Sequence, residues 1–115
     1  MSEKELRIAI PIKGNEGLKD LVSDVFGRAT AFVVFDVQGK KIKNLKVLKN
    51  PATSYKYGAG PIVVKMLIED GVNMVMAGEM GPGASGLLEH HKVEKVPVEV
   101  GISVKEAIKK IGVSP

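Results

Sequence analysis

Cysteine and tryptophan are absent from this chain of 115 residues, and aromatic residues make up only 4% of it. Without cysteine the chain can form no disulfide, offers no thiolate metal ligand or cysteine nucleophile, and cannot anchor an iron–sulfur cluster through Cys. The scarcity of aromatic rings argues against a surface that stacks nucleic-acid bases. Charged side chains and glycine-rich backbone therefore remain as the main material for a functional site.

Long apolar runs are also missing. The longest, Ala31–Phe35, is far shorter than the roughly 20 residues that cross a bilayer. No apolar segment follows the opening Met-Ser-Glu-Lys-Glu, so we expect a cytoplasmic protein with no membrane partner. The net charge of +4 is too small to indicate nucleic acid. Four asparagines and one glutamine among many Lys and Glu residues are typical of a thermophile, and the oligomeric state stays open.

The apolar patterns predict an α/β fold. Gln38-Gly39-Lys40 joins two strands as a hairpin, and a slip in the apolar pattern between Ile42 and Leu45 predicts a β-bulge. Pro97 places the last strand at an edge. We expect a flexible terminus at 1–5 and a single domain at 6–112, with strands at 6–12, 30–37, 41–49, 73–77 and 93–100, and helices at 18–25, 60–70, near 86–91 and at 104–111. Ser103 is expected to cap the last helix, with Glu106 completing a capping box.

A hairpin followed by strand–helix alternation predicts a three-layer α/β/α arrangement around a mixed sheet. If only the second strand runs against the others, four connecting segments lie at one end of the sheet: residues 13–29, 50–60, 78–86 and 101–103. Ligands of open α/β sheets bind at the carboxyl ends of the parallel strands. We therefore expect any ligand site at this glycine-rich end.

The stretch Gly81–Gly86 matches the pattern G-x-G-x-x-G. A dinucleotide site is disfavoured, because that fingerprint belongs in the first strand–helix turn and Pro82 removes an amide. The favoured interpretation is a tight turn with some affinity for anions, and a purely structural turn is the alternative. Met80 on this turn is either core or a soft ligand contact.

Arg28, in the segment Phe26-Gly27-Arg28, is either an anion clamp or the partner of Asp24 or Asp36. Phe26 itself is expected in the core. The tyrosines of Tyr55-Lys56-Tyr57-Gly58 either wall a pocket or pack the loop down.

Other polar residues carry weaker signals. Adjacent His90 and His91 point about 100° apart on a helix and are expected to face solvent. The lysines of residues 40–49 are expected to protect a strand edge. Since only Glu16, Asp24 and Glu79 are acids that reach the glycine-rich end, we do not expect an enzyme.

Four motifs occur in a distinctive order: Arg7–Lys13, Val22–Ala29, Asn50-Pro51 with Tyr57–Pro61, and Gly78–Pro82. In this order and spacing they resemble the dinitrogenase iron–molybdenum cofactor biosynthesis family, the nitrogenase accessory domains related to NifX, NafY and the C-terminal part of NifB. The resemblance spans about residues 6–111. It implies a ribonuclease H-like α/β/α motif with a five-stranded mixed sheet in the order 3-2-1-4-5, strand 2 being antiparallel.

The resemblance further implies a non-catalytic protein that carries an iron–molybdenum or iron–sulfur cluster and works with cluster-biosynthesis proteins. Val25 and Tyr57 stand where family members often have histidine. A protein–protein adaptor without the cluster and a phosphate- or nucleotide-binding enzyme are the alternatives. The predicted ligand-binding residues are Asn15, Ser23, Phe26, Arg28, Tyr57, Gly58, Gly60, Glu79, Met80 and Gly81.

Overall fold

The computed structural model describes residues 6–114, and it contains a single five-stranded sheet with helices on both faces. The strands lie in the order β3-β2-β1-β4-β5. Strand β2 is antiparallel to β1 and β3, and β1, β4 and β5 run parallel. The expected strand order and the antiparallel second strand are therefore confirmed. The elements are β1 (Leu6–Ile12), β2 (Ala31–Gln38), β3 (Lys41–Lys49), α1 (Ala59–Glu69), β4 (Met74–Ala77), α2 (Pro82–His90), β5 (Glu94–Pro97) and α3 (Val104–Lys110).

Strand β1 is the centre of the fold, because its last five residues are buried on both sides of the sheet. Ala9 faces the apolar layer formed with α1 and α2, whereas Ile8 and Ile10 face the layer formed with α3. A strand covered on both faces reads as a continuous apolar run, which is why β1 is easy to locate from sequence. None of the helices within residues 6–114 is long and apolar enough to span a membrane.

The hairpin of β2 and β3 contains the expected bulge. The pairing register shifts between Val34 and Asp36, opposite Asn44, which adopts a left-handed conformation with φ of 55°. Pro97 ends β5 at the sheet edge, as its missing N–H requires. The strand is shorter than the predicted 93–100, although the Val98 amide still donates to the Ala77 carbonyl at 3.1 Å.

The helix predicted at 18–25 is wrong. The structure has only a short 3-10 turn, Gly17–Lys19, in this region. The carboxylate of buried Asp20 accepts hydrogen bonds from the amides of Gly14, Glu16 and Leu21. The amide of Val22 then donates to Ile102 at 2.8 Å. These hydrogen bonds hold the chain extended. The apolar residues of this segment therefore follow a helical spacing without forming a helix.

The glycine-dense turn predicted at 78–86 is also too long. Helix α2 begins at Pro82, a residue suited to the first helical position because the N–H it lacks would be unpaired there. Gly83 and Gly86 therefore lie inside the helix, and the turn is confined to residues 78–81. The cap predicted for the last helix is confirmed, since the Ser103 hydroxyl accepts a hydrogen bond from the Glu106 amide at 3.1 Å.

An ion pair at the opposite end of the sheet joins β1 to β2. The Arg7 Nε lies 2.7 Å from Asp36 Oδ1, and Asn44 donates to the other carboxylate oxygen at 3.0 Å. The hydrogen bond from Arg7 and that from Asn44 hold the pKa of Asp36 below its ordinary value of 3.8. This pair ties the central strand to the bulged hairpin.

Replacing Asp36 by Asn should lower the free energy of unfolding by about 1–2 kcal/mol near neutral pH. Because the folded pKa of Asp36 is depressed, the stabilisation is complete above the ordinary carboxyl pKa and disappears as the pH falls through the folded pKa. Urea unfolding at about pH 7 and at about pH 2.5 measures the difference. Glu69→Gln, at an exposed position, is the control. An equal deficit for Asp36→Asn at both pH values would contradict this assignment.

Candidate functional site

A cleft of about 540 Å³ opens at the carboxyl end of the sheet, on the side covered by α1 and α2. Three separate stretches of chain form its walls: the loop after β1, the first turn of α1, and the turn and first residues of α2. The lining residues are 24–28, 56, 59–61, 79–81 and 83–84. The expectation that the glycine-rich segments meet at one end is therefore met for these three.

The remaining rim segments lie on the other side of the sheet. A second cleft of about 470 Å³ is lined by Leu18, Lys19, Ser103 and Lys105, next to α3. A bridge between Leu21 and Ser103 joins these two segments. These two clefts lie on opposite faces of the sheet, and the cleft beside α1 and α2 combines glycines with charges of both signs.

The loop of residues 24–28 is anchored by Phe26 and Gly27. Phe26 is 3% exposed and packs edge-on against Phe32 with ring centroids 5.4 Å apart, so it is a core residue as expected. A Cβ on Gly27 would lie only 2.9 Å from the Gly60 amide nitrogen. Backbone therefore lies directly against backbone where the loop meets the start of α1, and only glycine fits at position 27.

Arg28 stands at the tip of a tight turn, closed by a 3.2 Å hydrogen bond from the Ala29 amide to the Phe26 carbonyl. Its side chain is exposed and forms no salt bridge with any residue from 6 to 114. The alternative pairing with Asp36 is wrong, since that carboxylate binds Arg7, and Asp24 does not pair with it either. The Arg28 guanidinium is thus available to an anion in the cleft.

Both helices that border the cleft begin with a glycine in a positive-φ conformation. Gly58 precedes α1 with φ of 76°, and Gly81 precedes α2 with φ of 79° and ψ of 157°. Neither N-terminus has a side-chain cap among the described residues. The amides of Ala59, Gly60, Gly83 and Ala84 consequently have no acceptor within residues 6–114.

The electrostatics of the cleft depend on these helix ends. Asp24 and Glu79 contribute two negative charges to its lining, and Arg28 and Lys56 contribute two positive charges. The charged side chains therefore cancel. Each helix N-terminus adds about half a positive charge and unpaired N–H donors, so the cleft as a whole favours an anion.

The donor set of the cleft does not suit a protein-ligated metal ion. Across the described part of the chain no three His, Asp or Glu side chains are grouped so as to hold a metal. The thioether of Met80 is the soft donor in the lining, and Met80 also packs against the core. His90 and His91 are exposed at the C-terminal end of α2 with their rings 5.2 Å apart. The residues present fit a guest held by hydrogen bonds and charge.

Six of the ten predicted ligand-binding residues line this cleft, and four do not. Tyr57 is 89% exposed beside it, and Gly58 caps α1. Asn15 is exposed on the preceding loop. Ser23 is buried, and its hydroxyl accepts a hydrogen bond from the Val25 amide at 3.1 Å. The residues that line the cleft are Phe26, Arg28, Gly60, Glu79, Met80 and Gly81.

Sequence reasoning assigns Asn50 no role in the site, although the Asn50-Pro51 motif is part of the family resemblance. Its side-chain amide donates to the carbonyls of Gly27 and Ala29, both at 2.9 Å. Its Oδ1 accepts from the Ala52 amide at 2.8 Å. The partners of Asn50 in the Arg28 turn lie more than twenty residues away along the chain, so no local pattern reveals them.

The sheet order and the cleft between two glycine-capped helices define a small α/β protein with a ligand-sized opening at the carboxyl edge of its sheet. The chain belongs to the family described as "Dinitrogenase iron-molybdenum cofactor", whose profile matches residues 6–113. The expected family is confirmed by this match.

Three individual proteins illustrate the similarity. The apo form of the orange protein from Desulfovibrio gigas superimposes with a TM-score of 0.84 at 27% identity, covering 96% of this chain and 89% of that one. The Thermotoga protein TM1290, described provisionally as a NifB protein, gives a TM-score of 0.77 at 34% identity, with 92% and 86% covered. MJ0580 of Methanocaldococcus jannaschii is 26% identical over 106 residues, which are 92% of this chain and 85% of that protein.

Two glycine-to-alanine substitutions should have opposite effects on stability. Gly27→Ala forces a Cβ to within 2.9 Å of backbone and should lower the free energy of unfolding by about 1–3 kcal/mol. Gly86→Ala is the matched control, because its Cβ would meet nothing within 4 Å. It should raise stability by about 0.5–1 kcal/mol through its helix propensity. Chemical denaturation measures both, and a stabilising Gly27→Ala would show that the loop and α1 are not in contact.

Proposed function

We propose that this protein is a non-catalytic carrier or accessory protein that holds an anionic metal–sulfur cluster, of the iron–molybdenum or iron–sulfur type, in the cleft between α1 and α2. Family membership and the similarity to the orange protein and to TM1290 support a role around such clusters. The observation that carries the proposal is the convergence on one cleft of two helix N-termini without side-chain caps and of a guanidinium without a salt-bridge partner among residues 6–114.

The cluster binds as cargo that keeps its own ligands. The amides of Ala59, Gly60, Gly83 and Ala84 donate hydrogen bonds to its outer sulfide or oxo atoms. The Arg28 guanidinium supplies a fixed positive charge with several parallel donors. Gly81 and Gly83 leave room for a bulky guest to approach the backbone, since a Cβ at either position would meet nothing within 4 Å.

A cluster held without protein ligands is released without breaking a metal–protein bond. That property suits a protein that receives cargo from one cluster-biosynthesis protein and gives it to another. We place this function in a single domain, residues 6–112, acting in the cytoplasm with such proteins as partners. We infer no catalytic step, because the described residues that line the cleft include no Ser, Cys or His.

A protein–protein adaptor is the second candidate. Val25 is 47% exposed in the lining of the cleft, and Tyr57 is 89% exposed beside Lys56. Exposed apolar and aromatic groups around an opening are typical of protein contacts. An adaptor would bind its partner equally well with and without a cluster.

Arg28→Gln should weaken binding of a molybdenum–sulfide dianion about tenfold, because it removes the positive charge and the charge-assisted hydrogen bond while keeping a polar side chain. Anaerobic absorbance titration with tetrathiomolybdate measures the affinity, and molybdate, phosphate and a nucleotide panel form the parallel arms. Lys105→Gln, beside the second cleft, is the control and should leave the affinity unchanged.

The titration arms separate the candidates. Preference for the sulfide-rich anion supports the carrier, whereas preference for a nucleotide supports the phosphate-binding enzyme considered from the sequence. If the wild-type protein shows neither a spectral change nor a thermal shift with iron–sulfur, iron–molybdenum or molybdenum–sulfide species, the carrier function is refuted. Purification with a bound partner protein and no metal would then favour the adaptor.

A further inference from the structure

Asn50 is a buried polar residue whose position is tied to the cleft. It directly follows β3 and is only 6% exposed. A buried amide without partners would destabilise the fold by several kcal/mol, and this one is fully engaged. Two N–H donors and the carbonyl oxygen all have partners within hydrogen-bond distance.

The two acceptors of the Asn50 amide lie on either side of Arg28. The Gly27 and Ala29 carbonyls each accept a hydrogen bond of 2.9 Å. The backbone amide of Asn50 also donates to the Thr30 carbonyl at 3.3 Å. The carbonyls of the two residues on either side of Arg28 are thus hydrogen-bonded to the residue that follows β3.

The Arg28 turn is held from a second direction by its contact with α1. The backbone of Gly27 lies against Gly60 so closely that no Cβ fits between them. Asn50 therefore hydrogen-bonds the same turn that contacts α1, the helix whose N-terminal amides face the cleft. The arrangement fixes the Arg28 backbone relative to those amides while leaving the guanidinium without a salt-bridge partner among residues 6–114.

Asn50 does not itself line the cleft, so any effect on a bound anion must be indirect. We propose that Asn50 is a positioning residue of the binding site: it sets the affinity of the cleft for an anion by holding the Arg28 turn against the N-terminus of α1. This inference rests on the proposed function, since it assigns the residue on which anion binding by Arg28 depends.

The chemistry of the amide explains why asparagine is needed at this position. Aspartate has the same shape, but it would place an oxygen where the Asn50 Nδ2 faces both the Gly27 and the Ala29 carbonyls, and that oxygen would repel them. Alanine removes both donors and leaves two buried carbonyls unpaired. Either change frees the turn, and a freed Arg28 loses orientational entropy when an anion binds.

A double-mutant cycle with Arg28 tests the inference. Asn50→Ala should weaken tetrathiomolybdate binding about fivefold, the equivalent of about one hydrogen bond. Arg28→Gln alone should weaken it about tenfold. The double variant should be no weaker than Arg28→Gln, because Asn50 has nothing left to position. Independent losses that multiply would overturn the inference, as would an unchanged affinity in Asn50→Ala.

Asn73→Ala is the matched control for a merely structural role. Asn73 is a half-buried asparagine at the opposite end of the sheet. Like Asn50, it links distant segments through its side chain, because its Oδ1 accepts a hydrogen bond from the Arg7 amide at 2.9 Å. It should lower thermal stability without changing anion affinity. If Asn50→Ala does not fold, Asn50→Ser, which keeps one donor, takes its place in the cycle.

A measurement without ligand separates this inference from the proposed function. Asn50→Ala should lower the backbone order parameter of the Arg28 amide in NMR relaxation, and Asn73→Ala should not. If the wild type binds no anion, the proposed function fails, and the binding role of Asn50 fails with it. The relaxation result then still shows whether Asn50 holds the Arg28 turn. If the wild type binds but the Arg28 amide stays rigid in Asn50→Ala, the positioning role alone is refuted.

Discussion

The contact of Gly27 with Gly60 is the constraint on which the site depends. A Cβ at Gly27 would lie 2.9 Å from the Gly60 amide nitrogen, and a Cβ at Gly60 would lie 3.4 Å from that of Ala84. These small residues let the loop after β1, the start of α1 and the start of α2 pack backbone to backbone. Because no side chains separate them, two helix N-termini and Arg28 face the same space.

The sheet order makes this convergence available. Strand β1 lies between β2 and β4, so the loop that leaves β1 is next to the turn that leaves β4. Helices α1 and α2 both cover the same face, which brings their N-termini side by side at the carboxyl edge. The ion pair of Arg7 with Asp36 ties β1 to β2 at the other end of the sheet.

The chemistry of the cleft follows from what its walls contain. Its charged side chains cancel, and the excess positive potential comes from backbone dipoles at helix ends. In the proposed function such a site would recognise negative charge and shape without forming bonds to a metal. This is consistent with membership of a family described by an iron–molybdenum cofactor in a chain that has no cysteine. Under this proposal Asn50 and Gly27 would matter as much as the groups that touch the guest, because they contact the turn that carries Arg28.

Much of this protein was predictable from local patterns. The apolar runs located β1 to β4, Pro97 indicated the edge strand, and Ser103 with Glu106 marked the start of α3, because each signal depends on neighbours within a few residues. The family motifs added the sheet order. The extended path of the chain around Asp20, the lack of a salt bridge to Arg28 among residues 6–114 and the hydrogen bonds from Asn50 to the Arg28 turn were decided only by the tertiary structure. Each depends on hydrogen bonds or close contacts between segments far apart in sequence, and periodicity and composition carry no information about such pairs.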